Sequence, residues 1–409
     1  MSSNLRRQAV AVFAALLIGA PESYSEPFQT SPTRLQACIA SQAQEQDFSG
    51  IITVAWKDGS LSHVRGQVSS GTSPPIKVGS QFNMGSAGKM FTAVAIGELL
   101  DSGKITLDEP IGKYVTGLTP QTSRVTVKQL LNHSSGLGNY FAPENLPTLM
   151  KAKTLDDLKP LVSKETPAFE PGTRFSYSDS GFLILGLLIQ RVSGQSYGDY
   201  IRDHIFALAQ MRDTILTPAV VPVRAQGMTR MPSPLAMLSR GAPPTGINTG
   251  QQPQEPPVGP RMLLRPGEGM PQGPMRPAEE ATLLGSPAGG AYSTAGDMAN
   301  FFAALLRGDL IRQDTLKLMT SPQGVAEQPA AGSSRRGYGL GFGVGEFQGH
   351  HWFGHNGGAP GVNVETFVFP DDQLTLVVLS NRDPPAASPL FQKVRAAIFE
   401  KAVLDSCTH

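Results

Sequence analysis

The chain is poor in charge. Only 16% of its 409 residues are Asp, Glu, Lys or Arg, and 34 basic against 33 acidic residues leave a net charge of +1. No basic block occurs anywhere, so the electrostatic footprint of a nucleic-acid-binding protein is missing. Cysteine is nearly absent, with Cys38 and Cys407 near opposite ends. Among the seven histidines one His-x-x-x-His spacing occurs, His351 to His355, but Trp352 stands where a His-Glu-x-x-His motif needs glutamate and no Cys/His ligand spacing accompanies it, so the usual zinc patterns are missing. The N-terminal apolar run, Ala9 to Ala20, is too short for a comfortable transmembrane span. Glycine and proline are plentiful instead, which favours a loop-rich globular protein over a helical rod.

Arg6 and Arg7 precede that apolar run, and the small residues Ser23 and Ser25 follow it. A charged start, a short apolar centre and a small-x-small site describe a secretory signal over residues 1–25, with a periplasmic or secreted mature chain. Export leaves two readings for Cys38 and Cys407: one disulfide joining the terminal helices, or two buried unpaired thiols.

Along the chain, residues 33–45 have amphipathic helical spacing. Gly50 to Trp56 and the run after Lys57-Asp58-Gly59-Ser60 read as a hairpin about an Asp-Gly turn. Met90 to Leu100 and Phe182 to Ile189 are apolar on nearly every face, the mark of buried helices; helical spacing continues from Tyr197 to Ala209. Between Pro222 and Pro277 lie 13 of the 34 prolines, which cannot supply regular ladders, so residues 222–284 form an insertion. Thr294 reads as the N-cap of a helix through Leu306. Strands follow at Tyr338–Phe347, His351–Gly354, Val364–Phe369 and Leu374–Leu379, and a last helix runs from about Pro389 to Leu404. This order gives an α+β fold. An antiparallel sheet takes strands from both chain ends, with residues 26–85 and 285–409 forming one domain and a helical domain, residues 86–221, inserted.

Ser86 and Lys89 stand at the head of the first buried helix, three residues apart and hence on one face. A serine nucleophile needs a base for its proton and donors for an oxyanion. No Gly-x-Ser-x-Gly elbow surrounds Ser86, because Met84 stands two residues before it. A phosphate loop is also excluded, since Gly88-Lys89 is followed by Met90.

Three motifs in order resemble those of the serine β-lactamase-related family, which includes class C β-lactamases, esterases, D-aminopeptidases and DD-peptidases. Ser86-Ala87-Gly88-Lys89 matches Ser-x-x-Lys, and Tyr177-Ser178-Asp179 stands in the place of Tyr-x-Asn. His355-Asn356-Gly357 stands where Lys-Thr-Gly or His-x-Gly lies. Supporting segments are Leu130 to Leu137, Gly289 to Thr294 and Gly354 to Asn363, so the likeness covers about residues 45–382 outside the insertion. It implies a β-lactamase/transpeptidase-like fold and a hydrolase that needs no metal or other cofactor. Ser86 would be acylated, while Lys89, and Tyr177 if its pKa is lowered by nearby cations, would move protons. The backbone N–H groups of Ser86 and Gly358 would hold the oxyanion. Asp179, His355, Asn356 and Gly357 would line the site of a small-molecule or peptide substrate.

Two departures bear on that substrate. A histidine at 355 is largely neutral near pH 7, where the lactamases carry a fixed lysine charge. A carboxylate at 179 replaces an amide, holding Lys89 as ammonium and repelling substrate carboxylates. Both favour neutral esters or amine-bearing amides over β-lactams and D-Ala peptides, although Arg335 and Arg336 could restore a positive charge. The alternatives are a D-Ala-D-Ala carboxypeptidase or weak β-lactamase, and a penicillin-binding-like sensor or scaffold without turnover.

Overall fold

The computed structural model describes residues 31–69, 73–216, 224–231, 274–279, 285–324 and 336–407. The signal segment, most of the 222–284 insertion and Arg335 lie outside these residues. The chain opens with α1 (Pro32–Glu45), started by a proline in its first turn, and the hairpin β1 (Gly50–Trp56) and β2 (Gly59–Arg65). After the short β3 (Phe82–Asn83) come α2 (Lys89–Asp101), α3 (Val127–Leu131), α4 (Leu146–Lys151), α5 (Lys159–Ser163), α6 (Asp179–Ser193) and α7 (Tyr197–Ile201). Short strand pieces β4 (Met228–Thr229), β5 (Arg276–Pro277) and β6 (Tyr292–Ser293) lead to α8 (Ala295–Arg307) and α9 (Gln313–Met319). The remaining strands are β7 (Arg336–Tyr338), β8 (Gly343–Phe347), β9 (His350–Ala359), β10 (Val362–Phe369) and β11 (Leu374–Ser380). The helices α10 (Ser388–Phe399) and α11 (Lys401–Ser406) follow them.

Seven strands form one antiparallel sheet in the order β2-β1-β11-β10-β9-β8-β7. Its interior strand β11, Leu-Thr-Leu-Val-Val-Leu-Ser, is buried along its whole length because both faces are covered. Leu374, Leu376 and Val378 enter a rear core with Leu35 and Ile39 of α1 and Leu390 and Val394 of α10. Val377 and Leu379 point forward into the larger core built on α2, α6 and α8. Ten of the thirteen α2 residues are buried, so this helix has almost no solvent face and stands fixed behind the sheet's front surface.

Three expected elements divide differently. The Tyr338–Phe347 run is two strands, because Gly339 and Gly341 turn the chain between β7 and β8. A Cβ on Gly341 would lie 2.3 Å from the Cβ of Ala93 in α2, so only glycine lets this turn pack there. The helical run after Tyr197 becomes a wide π turn over Arg202–Phe206. The last helix breaks at Glu400, whose extended backbone (φ −119°, ψ 102°) re-aims α11 toward α1. Cys407 there forms a disulfide with Cys38, and the Arg34 guanidinium meets Asp405 at 2.6 Å. Among the described residues no helix is long and apolar enough to cross a membrane.

Candidate active site

Ser86 occupies a single 3₁₀ turn, Gly85–Gly88, and α2 begins at Lys89. That turn brings the Lys89 Nζ to 3.3 Å from the Ser86 Oγ. Lys89 has no solvent exposure, a rare condition for lysine. Its ammonium nitrogen also donates to Asp179 Oδ1 at 2.5 Å and to the Ala288 carbonyl at 2.7 Å. It stands 4.7 Å from the centroid of the Tyr177 ring and 5.5 Å from that of Phe182. Burial lowers the Lys89 pKa below its ordinary 10.5, and the Asp179 carboxylate opposes but does not cancel that shift.

Asp179 is held by the start of α6. The Ser178 hydroxyl caps this helix by accepting the Gly181 N–H at 2.9 Å and donates to the Gly138 carbonyl at 2.9 Å. A carboxylate in the first turn also complements the helix dipole. Tyr177 immediately precedes the cap. Its hydroxyl is buried and makes no well-formed hydrogen bond, although it lies close enough to Ser86 for that hydroxyl to favour the phenolate. Burial dominates, with the Asp179 charge adding to it, and together they push the Tyr177 pKa well above 10. The condition of a pKa lowered by nearby cations is therefore not met: burial and the Asp179 charge both favour the neutral phenol.

The third motif lies on β9, which extends five residues past its expected end at Gly354. Strand β8 pairs with β9 only as far as Gly354, so residues 355–359, still paired with β10 on their other side, turn the edge that β8 leaves uncovered toward the Ser86 turn. The approach is close enough to demand glycine on both sides. A Cβ on Gly357 would meet the Met84 carbonyl oxygen at 2.2 Å, and one on Gly85 would lie 3.1 Å from the Gly358 nitrogen.

The side chains of His355 and Asn356 lie on opposite faces of β9. His355 is 2% exposed, its Nε2 lies 3.0 Å from the Tyr338 hydroxyl, and its Nδ1–H donates to the Asn356 carbonyl. Desolvation, with the Lys89 charge adding, lowers its pKa to about 3. Asn356 follows the strand's alternation to the opposite face, across from Glu365, and lines a cavity of about 180 Å³ with Trp352, Gln392 and Arg395. Among the described residues neither side chain hydrogen-bonds Ser86: His355 is joined to Tyr338, and Asn356 lies on the other face of the strand. Arg335 and the side chain of Arg336 lie outside the described residues. The sequence reading missed Ala288 because a carbonyl ligand carries no side-chain signature. Its only marker is the neighbouring Gly289-Gly290, whose Gly290 N–H donates to the Gly85 carbonyl at 3.2 Å.

A serine bonded to a buried lysine, set against the edge of this seven-stranded sheet, defines a β-lactamase/transpeptidase-fold protein. The chain belongs to the Beta-lactamase family, whose model matches residues 35–399. Penicillin-binding protein 4* of Bacillus subtilis is 30% identical over 192 residues, covering 46% of this chain and 42% of that protein. The chain spans about half the length of the curated relatives it matches. A solved penicillin-binding protein from Bacillus halodurans has a TM-score of 0.70 at 23% identity, covering 88% of this chain and 98% of that one. The D-amino acid amidase from Ochrobactrum anthropi SV3 has a TM-score of 0.69 at 21% identity, covering 91% and 99%. Both solved structures share the fold.

Proposed function

We propose that the chain is an exported serine hydrolase acting on small esters or amides through an acyl-enzyme on Ser86. The Ser86–Lys89 contact carries this reading: a hydroxyl 3.3 Å from a fully buried amine whose pKa is lowered. Lys89 as amine takes the Ser86 proton while Oγ attacks the substrate carbonyl. The oxyanion then accepts the backbone N–H groups of Ser86 and Gly358. Tyr177, protonated and beside Ser86, donates to the departing alkoxide or amine and recovers its proton from the Lys89 ammonium. Water reverses the sequence to release the acid.

Esters and neutral amides suit the site better than carboxylate-bearing substrates. His355, standing where the lactamases carry lysine, is buried and neutral, and Asp179 adds a negative charge beside Lys89. Asp179 Oδ1 is itself bonded to Lys89, which weakens its expected pull on a substrate amine. The amidase among the structural neighbours supports the small-amide side of the reading. The disulfide supports export.

A fluorophosphonate probe with intact-mass detection tests the proposal. One adduct is expected on the wild type and none on Ser86→Ala, together with p-nitrophenyl butyrate turnover well above nitrocefin turnover. A folded wild type that takes no label sinks the hydrolase reading. Nitrocefin turnover above that of the ester moves the reading to a β-lactamase.

A further inference from the structure

His133 lies between the two halves of the site. It is completely buried, belongs to the loop after α3, and has a left-handed backbone (φ 58°), a conformation that a non-glycine residue holds only when its surroundings impose it. Its carbonyl accepts the Ser176 N–H at 2.8 Å and its Nδ1 accepts the Ser178 N–H at 3.1 Å. Between those two bonds its ring lies against Tyr177, with centroids 4.2 Å apart. One residue thus grips the chain on both sides of the tyrosine.

On its far side His133 Nε2 lies 3.1 Å from the Tyr338 hydroxyl, which lies 3.0 Å from His355 Nε2. The direction of every bond is fixed by the two ends. A backbone N–H can only donate, so His133 Nδ1 is bare and its proton sits on Nε2, donated to Tyr338. Tyr338 therefore gives its own proton to His355 Nε2, and His355 carries its proton on Nδ1, donated to the Asn356 carbonyl, which can only accept. No donor faces a donor anywhere in the chain. Protonating His133 would set a second N–H against that of Ser178.

We propose that His133 and Tyr338 are positioning residues for the reaction: a four-bond buried relay, Ser178–His133–Tyr338–His355–Asn356, locks the Tyr177–Asp179 segment to the strand carrying Gly357 and Gly358. The inference rests on the hydrolase reading for its consequence and on geometry alone for the relay itself. The charged groups facing the two rings are Lys89 and, through it, Asp179, and His355 itself faces His133; burial first and the lysine charge second lower both histidine pKa values. The other neighbours of His133 are the rings of Phe175, Phe182, Tyr177 and Tyr338.

Two measurements separate the relay from the chemistry. Long-range ¹⁵N–¹H spectra of histidine-labelled protein, assigned with His133→Gln and His355→Gln, should show two neutral rings of opposite tautomer. His133 should be protonated on Nε2 and His355 on Nδ1, with neither titrating between pH 5 and 8. The same tautomer on both rings, or titration near 6.5, overturns the relay whatever the enzyme does. Tyr338→Phe keeps the ring and removes the link. Its ester kcat should fall roughly 10- to 100-fold with KM changed less than about twofold, as expected from a small misplacement of reacting groups. A kcat equal to that of the wild type, with both tautomers unchanged, overturns the positioning role. Fluorophosphonate labelling of the wild type runs alongside: absent labelling with the tautomer pair intact faults the hydrolase reading and leaves the relay standing.

Discussion

Lys89 has one more partner than an amine has N–H groups, and as many as an ammonium has. As ammonium it donates to Ser86, Asp179 and Ala288; as amine it keeps the last two and turns its lone pair to the serine. The same three contacts serve both states, so proton transfer requires no rearrangement of the site. If the amine is the working base, kcat/KM rises with pH through a midpoint below 10.5, because deprotonation of Lys89 produces the active form. Asp179→Asn removes the charge that favours the ammonium, so that midpoint should move to lower pH. A pH–rate profile on a neutral ester whose midpoint stays put, or rises, would show that Lys89 is not the base. The residues of this pair were legible from their three-residue spacing. Their third partner, a carbonyl nearly 200 residues away, was not.

At the level of elements, the decisive one is β9. Its forward extension past Gly354 was not legible as strand, because Gly357 and Gly358 carry little β-propensity; here the glycines serve close approach. Once residues 350–359 are known to be strand, period-two alternation sends His355 forward and Asn356 backward without further information. Helices α2 and α6 were legible for the opposite reason: long runs apolar on every side have few alternatives to a buried helix. Gly357→Ala tests what the strand does. Its Cβ would strike the Met84 oxygen and also lie 2.8 Å from Val364 Cγ2, so the strand must retreat from Ser86. We expect about 1–3 kcal/mol of lost stability in urea unfolding and at least a ~100-fold loss of kcat from a displaced oxyanion donor. Full activity in this variant would mean that the strand edge does not hold the oxyanion.

The whole molecule carries its pH response in buried groups. His133 and His355 have folded pKa values below the ordinary 6.5, so the unfolded chain binds protons that the folded one refuses. The His355 contribution is fully present above about 6.5 and is lost as pH falls toward about 3; that of His133 is lost in the same direction. Melting temperature should drop over that window, and His355→Gln should make the slope shallower; an unchanged slope would show that His355 does not resist protonation. The sheet order has a further consequence for assembly. Read from β7 through β11 and then across to β1 and β2, every neighbouring pair is consecutive except β11 with β1. The sheet is a simple meander that the chain enters in the middle, and one pairing, Gly50 with Ser380 through Trp56 with Leu374, closes it. Hairpins form early because their loops are short, whereas this pairing bears the loop-closure entropy of nearly the entire chain. We expect the joining of the first and last strands to be the slow step of folding, seen as a further slowing of that refolding phase when Val377→Ala weakens the pairing; the disulfide between Cys38 and Cys407 fastens the same seam from behind.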